Sequence, residues 1–229
     1  MAESTTKLKL ELVTKNIRPF PDFPSEGILF RDISPILKNP RALTAVIDLF
    51  EDHVRMTYPQ VELMVGQPGR WTGRDQELCV VRHRRPKSTW VQHCHTSDQV
   101  DVDSSTPPHH RGGLDARGFL FGPLLAQRLG VGFALIRKKG KLPGPTVSVS
   151  YTLEYGKAEA EIQEDAVSAG QKVLLIDDLL ATGGTLYAAC ELMKKQKADV
   201  LGCLVVIELK DLNGVEKLKP FPLFSLVQY

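Results

Sequence analysis

Two hydrophobic rhythms alternate along this chain. Short apolar runs without a period suit strands buried on both faces, and between them apolar residues recur at helical spacing. Lys7 to Asn16 reads as a short helix. Arg18 to Pro24 is punctuated by prolines, which excludes regular helix and central strand and predicts an ordered loop. Asn39-Pro40 opens a helix in which Leu43, Val46, Ile47 and Phe50 share one face, and Val61 to Val65 follows as a short strand. From Leu114 the alternation is regular. A helix around Pro123 to Leu129 precedes a strand near Gly132 to Ile136, a Gly/Pro-rich loop from Lys139 to Thr146, and a hairpin. Then come a strand from Lys172 to Ile176, a polar turn, a helix near Thr185 to Lys194, and a strand from Val200 to Glu208. Such strands predict a doubly wound, mainly parallel α/β sheet with helices on both faces, its ligand beyond the carboxyl ends of the strands.

The interval from Gln67 to Gly113 breaks this order. It holds both tryptophans, five of the six histidines and the basic run Arg82 to Lys87, with no sustained period. We read the chain as a single domain, 1–229, interrupted by an unstructured insertion at 67–113. Cys79, His83, His93, Cys94 and His95 lack the paired spacing of a zinc site, although they leave that alternative open.

At 229 residues and 42% hydrophobic composition, one sizeable core is expected. The net charge of +2 is too evenly spread for a nucleic-acid-binding field. With no long apolar run and a polar start, the expectation is a cytoplasmic protein without a membrane segment. The four cysteines show no disulfide framework.

The sharpest chemical signal is Val173-Leu-Leu-Ile-Asp-Asp-Leu-Leu-Ala-Thr-Gly-Gly-Thr185: a buried strand, paired carboxylates where it ends, then a small-residue turn opening a helix. Small residues let backbone N–H groups close around a phosphate, the helix start adds partial positive charge, and Thr182 and Thr185 offer hydroxyls. Asp177 and Asp178 suit vicinal hydroxyls. The alternative is a strand-to-helix turn whose acids and threonines only cap the helix. A P-loop ending is lacking, which argues against triphosphate hydrolysis.

This stretch resembles the phosphoribosyl pyrophosphate (PRPP) signature of type I phosphoribosyltransferases. The resemblance implies that family's fold, with an N-terminal hood and a flexible catalytic loop. It also implies that Asp177 and Asp178 hold the ribose hydroxyls while Ala181, Thr182, Gly183, Gly184 and Thr185 hold the 5-phosphate. Phe20 to Pro35, Leu114 to Gly122, Arg137 to Pro145 and Tyr151 to Lys157 are similar to the adenine phosphoribosyltransferases in particular. By that likeness the backbone near Leu29 to Arg31 reads the adenine edge, with Leu29 and Phe30 as pocket walls; without it they would be ordinary core residues. Asp115-Ala116 would be a strained peptide gripping pyrophosphate, costing about 3 kcal/mol if cis, with Arg117 beside it. Arg137, Lys138 and Lys141 would face pyrophosphate and its Mg²⁺, or else form a solvated charge run. Glu154 is the candidate for handling the N9 proton and Tyr155 for closing the lid; an exposed, solubilising glutamate is the plain alternative. The implied reaction turns adenine and PRPP into AMP and pyrophosphate, and the implied assembly is a homodimer.

Joining Gly66 directly to Leu114 restores the family-type strand and loop, so the insertion enters at the site. Its edges permit splice-like codons, and we expect a translated intron; transcript sequence across codons 60 to 120 tests this. Tens of added residues cost only about 2 to 4 kcal/mol in loop closure. Turnover is more vulnerable, and a catalytically impaired isoform acting as a dimer partner is the competing expectation. A PRPP-sensing regulator would need a DNA-binding helix pair, and the sequence shows none. Hypoxanthine or orotate as substrate is disfavoured by Phe20 to Pro35.

Overall fold

The computed structural model describes residues 2–23, 26–66, 117–153 and 156–229. In chain order the elements are α1 (Ala2–Lys15), β1 (Arg18–Phe20), β2 (Phe30–Asp32), α2 (Ser34–Lys38), α3 (Pro40–Thr57) and β3 (Leu63–Gly66). After a 3₁₀ turn at Arg117–Leu120 come α4 (Gly122–Leu129), β4 (Gly132–Leu135), β5 (Arg137–Lys138), β6 (Thr146–Leu153) and β7 (Gly156–Gln163). The chain continues through β8 (Lys172–Leu180), α5 (Gly184–Lys195), β9 (Asp199–Glu208), a 3₁₀ turn at Lys210–Leu212, α6 (Val215–Leu218) and β10 (Leu223–Gln228). The mainly parallel α/β expectation holds: five parallel strands run in the order β10-β9-β8-β3-β4.

Strand periodicity explains why helices are needed on both faces. On β8, Leu174 and Ile176 point into a cluster with Val13 of α1, Phe50 of α3 and Leu125 of α4. Val173 and Leu175 point the other way, into a cluster with Leu186, Ala189 and Leu192 of α5. Met64 on β3 and Leu204 on β9 join the first cluster; Leu63, Val65, Cys203 and Val205 join the second. Full burial of one such aliphatic side chain contributes about 1.5–3 kcal/mol. The Asn39 carboxamide oxygen caps α3 by accepting from the Arg41 and Ala42 N–H groups, and Gly130, left-handed at φ 73°, ends α4.

Several boundaries differ from the sequence reading. The first helix starts at Ala2, five residues before Lys7. The proline-rich stretch contains β1, paired antiparallel with β2 in a separate two-stranded sheet. That position tolerates proline because an edge strand does not need every N–H. β8 runs to Leu180, so the acid pair lies within the strand instead of at its end. Tyr151 and its neighbours form the expected hairpin, β6 against β7, joined by β5 in a third sheet.

Candidate active site

In a parallel sheet all carboxyl ends lie along one edge, and the acid pair, the turn after it and the residues that follow β4 meet this edge. β3 ends at Gly66, β4 leads into Arg137 and Lys138, β8 leads into the turn 181–183, and β9 leads into 209–214. Ile136 N–H donates to the Gly66 carbonyl at 2.9 Å and Leu209 N–H to the Leu180 carbonyl at 2.9 Å, which ties neighbouring strand exits together.

Asp177 and Asp178 are buried to 2% and 1% exposure. The Asp178 N–H donates to Asp177 Oδ1 at 2.8 Å, fixing that carboxyl's direction. Two adjacent buried carboxyls are costly unless polar partners satisfy them. The helix that follows is not capped by them. Its N-cap is Gly183, left-handed at φ 77°, and no side chain makes a cap hydrogen bond. The helix-capping alternative is therefore overturned. The leading N–H groups of α5 open at this turn without a side-chain cap, with Thr182 and Thr185 half-buried beside them.

The sequence reading missed what stands behind that turn. A methyl group on Gly183 would lie 2.4 Å from the Gly214 carbonyl oxygen, and one on Gly214 would lie 2.1 Å from the Ala181 carbonyl oxygen. Backbone packs directly on backbone here, which only glycine allows. Asn213-Gly214 reads as a turn from sequence, but nothing in the sequence ties it to a loop thirty residues earlier.

Two further glycines shape the exit of β3. Methyl groups on Gly66 and Gly122 would each approach the Phe133 ring to 2.2 Å, so that ring fills the slot between them. Phe119 meets Phe133 edge-on at 6.1 Å, and the Arg137 guanidinium lies 5.9 Å from the Phe119 ring centre. Arg137 is thereby held beside the 3₁₀ turn that begins with Arg117. Arg137, Lys138 and Lys141 are all half-buried on this edge, unlike a freely solvated charge run.

At the hood, β1 and β2 are clasped by Arg18 and Asp32 at 2.7 Å. Burial alone would raise the Asp32 carboxyl, but hydrogen bonds from the Ser34 hydroxyl and N–H and from Arg18 outweigh it, and its pKa is lowered. Leu29 is 49% exposed and Phe30 half-buried against Phe23, rings at 5.1 Å, so Leu29 is not the core residue that composition favoured. The Arg31 guanidinium sits 3.7 Å over the Tyr229 ring. Tyr229 N–H donates to the Glu208 carbonyl, and Lys210 N–H to the Tyr229 carbonyl at 2.8 Å. Through Tyr229 the hood is thus fastened to the carboxyl end of β9, where Glu208 lies opposite Leu180 at the end of β8.

Asp115, Ala116, Glu154 and Tyr155 lie outside the described residues, as do the side chain of Arg117 and the insertion with its cysteines and histidines. Cys190 and Cys203 are free, buried thiols; a hydrogen bond with Cys190, together with burial, pushes Cys203 up. Among the described residues no group of three or more His, Cys, Asp or Glu could hold a metal ion, and no helix is long and apolar enough to cross a membrane.

Residues 113–223 match the phosphoribosyl transferase domain family. The adenine phosphoribosyltransferase of Rattus norvegicus is 48% identical over 221 residues, which cover 96% of this chain and 97% of the relative. That of Homo sapiens is 46% identical with the same coverage. Among solved structures, the Saccharomyces cerevisiae adenine phosphoribosyltransferase, complexed with adenine and an imino-altritol bisphosphate, superposes with a TM-score of 0.73 at 34% identity, covering 96% of this chain and 99% of its own. An acid pair on a buried central strand, an uncapped phosphate-type turn and this extent of shared sequence lead to one assignment: the chain belongs to the adenine phosphoribosyltransferase family.

Proposed function

We propose that the chain transfers the phosphoribosyl group of PRPP to adenine, releasing pyrophosphate and forming AMP in purine salvage. The observation that carries this reading is the buried Asp177-Asp178 pair running into a left-handed glycine turn at an uncapped helix start. Asp177 and Asp178 accept hydrogen bonds from the ribose 2- and 3-hydroxyls. Ala181 to Thr185 enclose the 5-phosphate with N–H and hydroxyl donors. The half-exposed Leu29 and Phe30 wall the adenine, and the β2 backbone as far as Arg31 reads its edge.

Adenine N9 attacks C1 of PRPP, the N9–C1 bond forms, and the bond from C1 to the pyrophosphate oxygen breaks with its electron pair leaving on pyrophosphate. Positive charge builds on the ribose, so the site has to stabilise the leaving group and exclude water. Arg137, Lys138 and Lys141 hold that leaving group with Arg117 and the Asp115-Ala116 peptide. Glu154 takes the N9 proton and Tyr155 closes over the reactants. By analogy with the family, Mg²⁺ would come bound to PRPP, would be faced here by Arg137, Lys138 and Lys141, and would neutralise leaving-group charge. We place the enzyme in the cytoplasm as a homodimer, by analogy with its family.

The test is conversion of labelled adenine and PRPP to AMP by the purified chain, with hypoxanthine and orotate in parallel and a variant lacking 67–113 alongside. AMP formation with adenine alone is expected. A preference for another base would overturn the substrate assignment, and activity confined to the shortened variant would mark this chain as an impaired isoform.

A further inference from the structure

The loop that carries Lys139, Gly140 and Lys141 turns its backbone donors inward. Lys141 N–H and Leu142 N–H both donate to Glu161 Oε1 at 2.9 Å, and Thr146 Oγ1 donates to Oε2 at 3.2 Å. The Gly140 N–H also bonds this carboxyl, which is only 3% exposed. Three successive N–H groups converging on one carboxylate make the kind of concavity that binds free anions. Here the anion is a side chain of β7. Gly140 supplies the positive φ of 82° that the turn requires. Burial alone would raise the Glu161 pKa; the Gly140, Leu142 and Lys141 N–H groups and the Thr146 hydroxyl outweigh it and keep the group ionised.

The surroundings tie this carboxylate to the basic residues. In register, Glu161 lies across from Arg137 of β5 on one side and Ser148 of β6 on the other. Two residues back on β7, Glu159 pairs with the Lys139 ammonium, and Gln163 Nε2 donates to the Pro143 carbonyl at 3.1 Å. β7 therefore holds the loop at three successive outward positions, with Glu161 the most buried of the three.

We infer that Glu161 is a positioning residue for pyrophosphate: by wrapping the 140–142 backbone around its carboxylate, it sets Arg137, Lys138 and Lys141 to receive the leaving group without touching it. This rests on reading those three cations as the pyrophosphate site. Glu161→Gln is nearly isosteric but loses the charge and replaces one acceptor with a donor, so the loop relaxes while β7 stays in its sheet.

The experiment is calorimetric titration of magnesium pyrophosphate into the unsubstituted chain, Glu161→Gln and Ile162→Val, with steady-state kinetics and melting curves on all three. Ile162 is buried on the opposite face of β7 and serves as the control for general loosening. For Glu161→Gln, pyrophosphate binding about tenfold weaker and a matching rise in KM for PRPP are expected, with KM for adenine and kcat changed by less than about threefold. Ile162→Val should lower the melting temperature and leave pyrophosphate affinity alone. Unchanged pyrophosphate affinity in Glu161→Gln overturns the proposal, as does an equal loss in Ile162→Val. If the unsubstituted chain binds pyrophosphate but makes no AMP, the proposed function fails while the binding comparison still decides the role of Glu161. If it binds no pyrophosphate, both fall.

Discussion

A single methyl group at position 214 would sit 2.1 Å from the Ala181 carbonyl oxygen. Backbone on both sides leaves nothing flexible to yield, so Gly214→Ala must displace the turn 181–183, the proposed phosphate site. Sub-ångström placement matters for a group that orients a reactant, and we predict a KM for PRPP raised on the order of tenfold to a hundredfold, with KM for adenine little changed. Steady-state kinetics with each substrate varied separately would show this, and a uniform loss in both would count against a specific role. Asp177→Asn and Asp178→Asn test the other side of the same turn. Each removes a charged acceptor worth about 1.5–3 kcal/mol and should weaken PRPP binding, measured by equilibrium titration, by about tenfold or more. The acids were legible in the sequence as adjacent carboxylates following an apolar run, with helix capping left open as their other use. Gly214 and Glu161 were not, because their partners are brought to them only by the fold.

At the scale of elements, the hood is a two-stranded sheet, and an isolated pair of strands is marginal in water. Its attachment to the rest of the molecule is therefore the weak point, and Arg31 stacked over Tyr229 is one contact that supplies it, beside the buried Ile17 and Ile33 that flank the two strands. A cation–π contact of this kind contributes about 0.5–2 kcal/mol. Arg31→Ala should consequently loosen the hood, raising KM for adenine by a few-fold to about tenfold while KM for PRPP holds. Equal changes in both constants would place Arg31 elsewhere in the mechanism. Prolines concealed β1 from a reading based on local rules, since those rules judge a strand by the ladder it could join, and an edge pair needs little of one. β8 was read short for a related reason. Charged residues normally end a buried strand, yet here the ladder with β9 continues past them to Leu180.

Across the whole molecule, α1, α3 and α4 are bound together by apolar contacts and by ion pairs from Lys9 to Asp48 at 3.0 Å and from Arg128 to Asp48 and Glu51 at 3.2 and 3.0 Å. Exposed pairs of this sort add little each. The pH response of the same layer is more telling. His53 stacks on Phe224 with ring centres 3.6 Å apart, and burial lowers its pKa from the ordinary 6.5. The unfolded chain then binds a proton that the folded chain resists, so stability is complete above about 6.5 and declines as pH falls below it. His53→Phe keeps an aromatic stack and removes this proton uptake. The melting temperature of the unsubstituted chain minus that of His53→Phe should stay constant above pH 7 and decrease towards pH 5; a difference independent of pH would refute this.

The sequence by itself determined what local rules can encode: the order of the main helices and strands, the two-faced burial of β8, and a small-residue turn after paired acids, whose use as a helix cap only the structure excluded. Its likeness to a known family added the expectation of a base pocket and a leaving-group loop. What only the tertiary structure decided are contacts between positions far apart in the chain. They include Gly214 behind Gly183, Phe133 between Gly66 and Gly122, Glu161 inside the loop at 140–142, and Tyr229 under Arg31. Periodicity reports which face of an element is buried, because that follows from the geometry of one helix or strand. It cannot report what the buried face meets, since that depends on how separate elements pack, and in this protein the parts that aim the site are of that second kind.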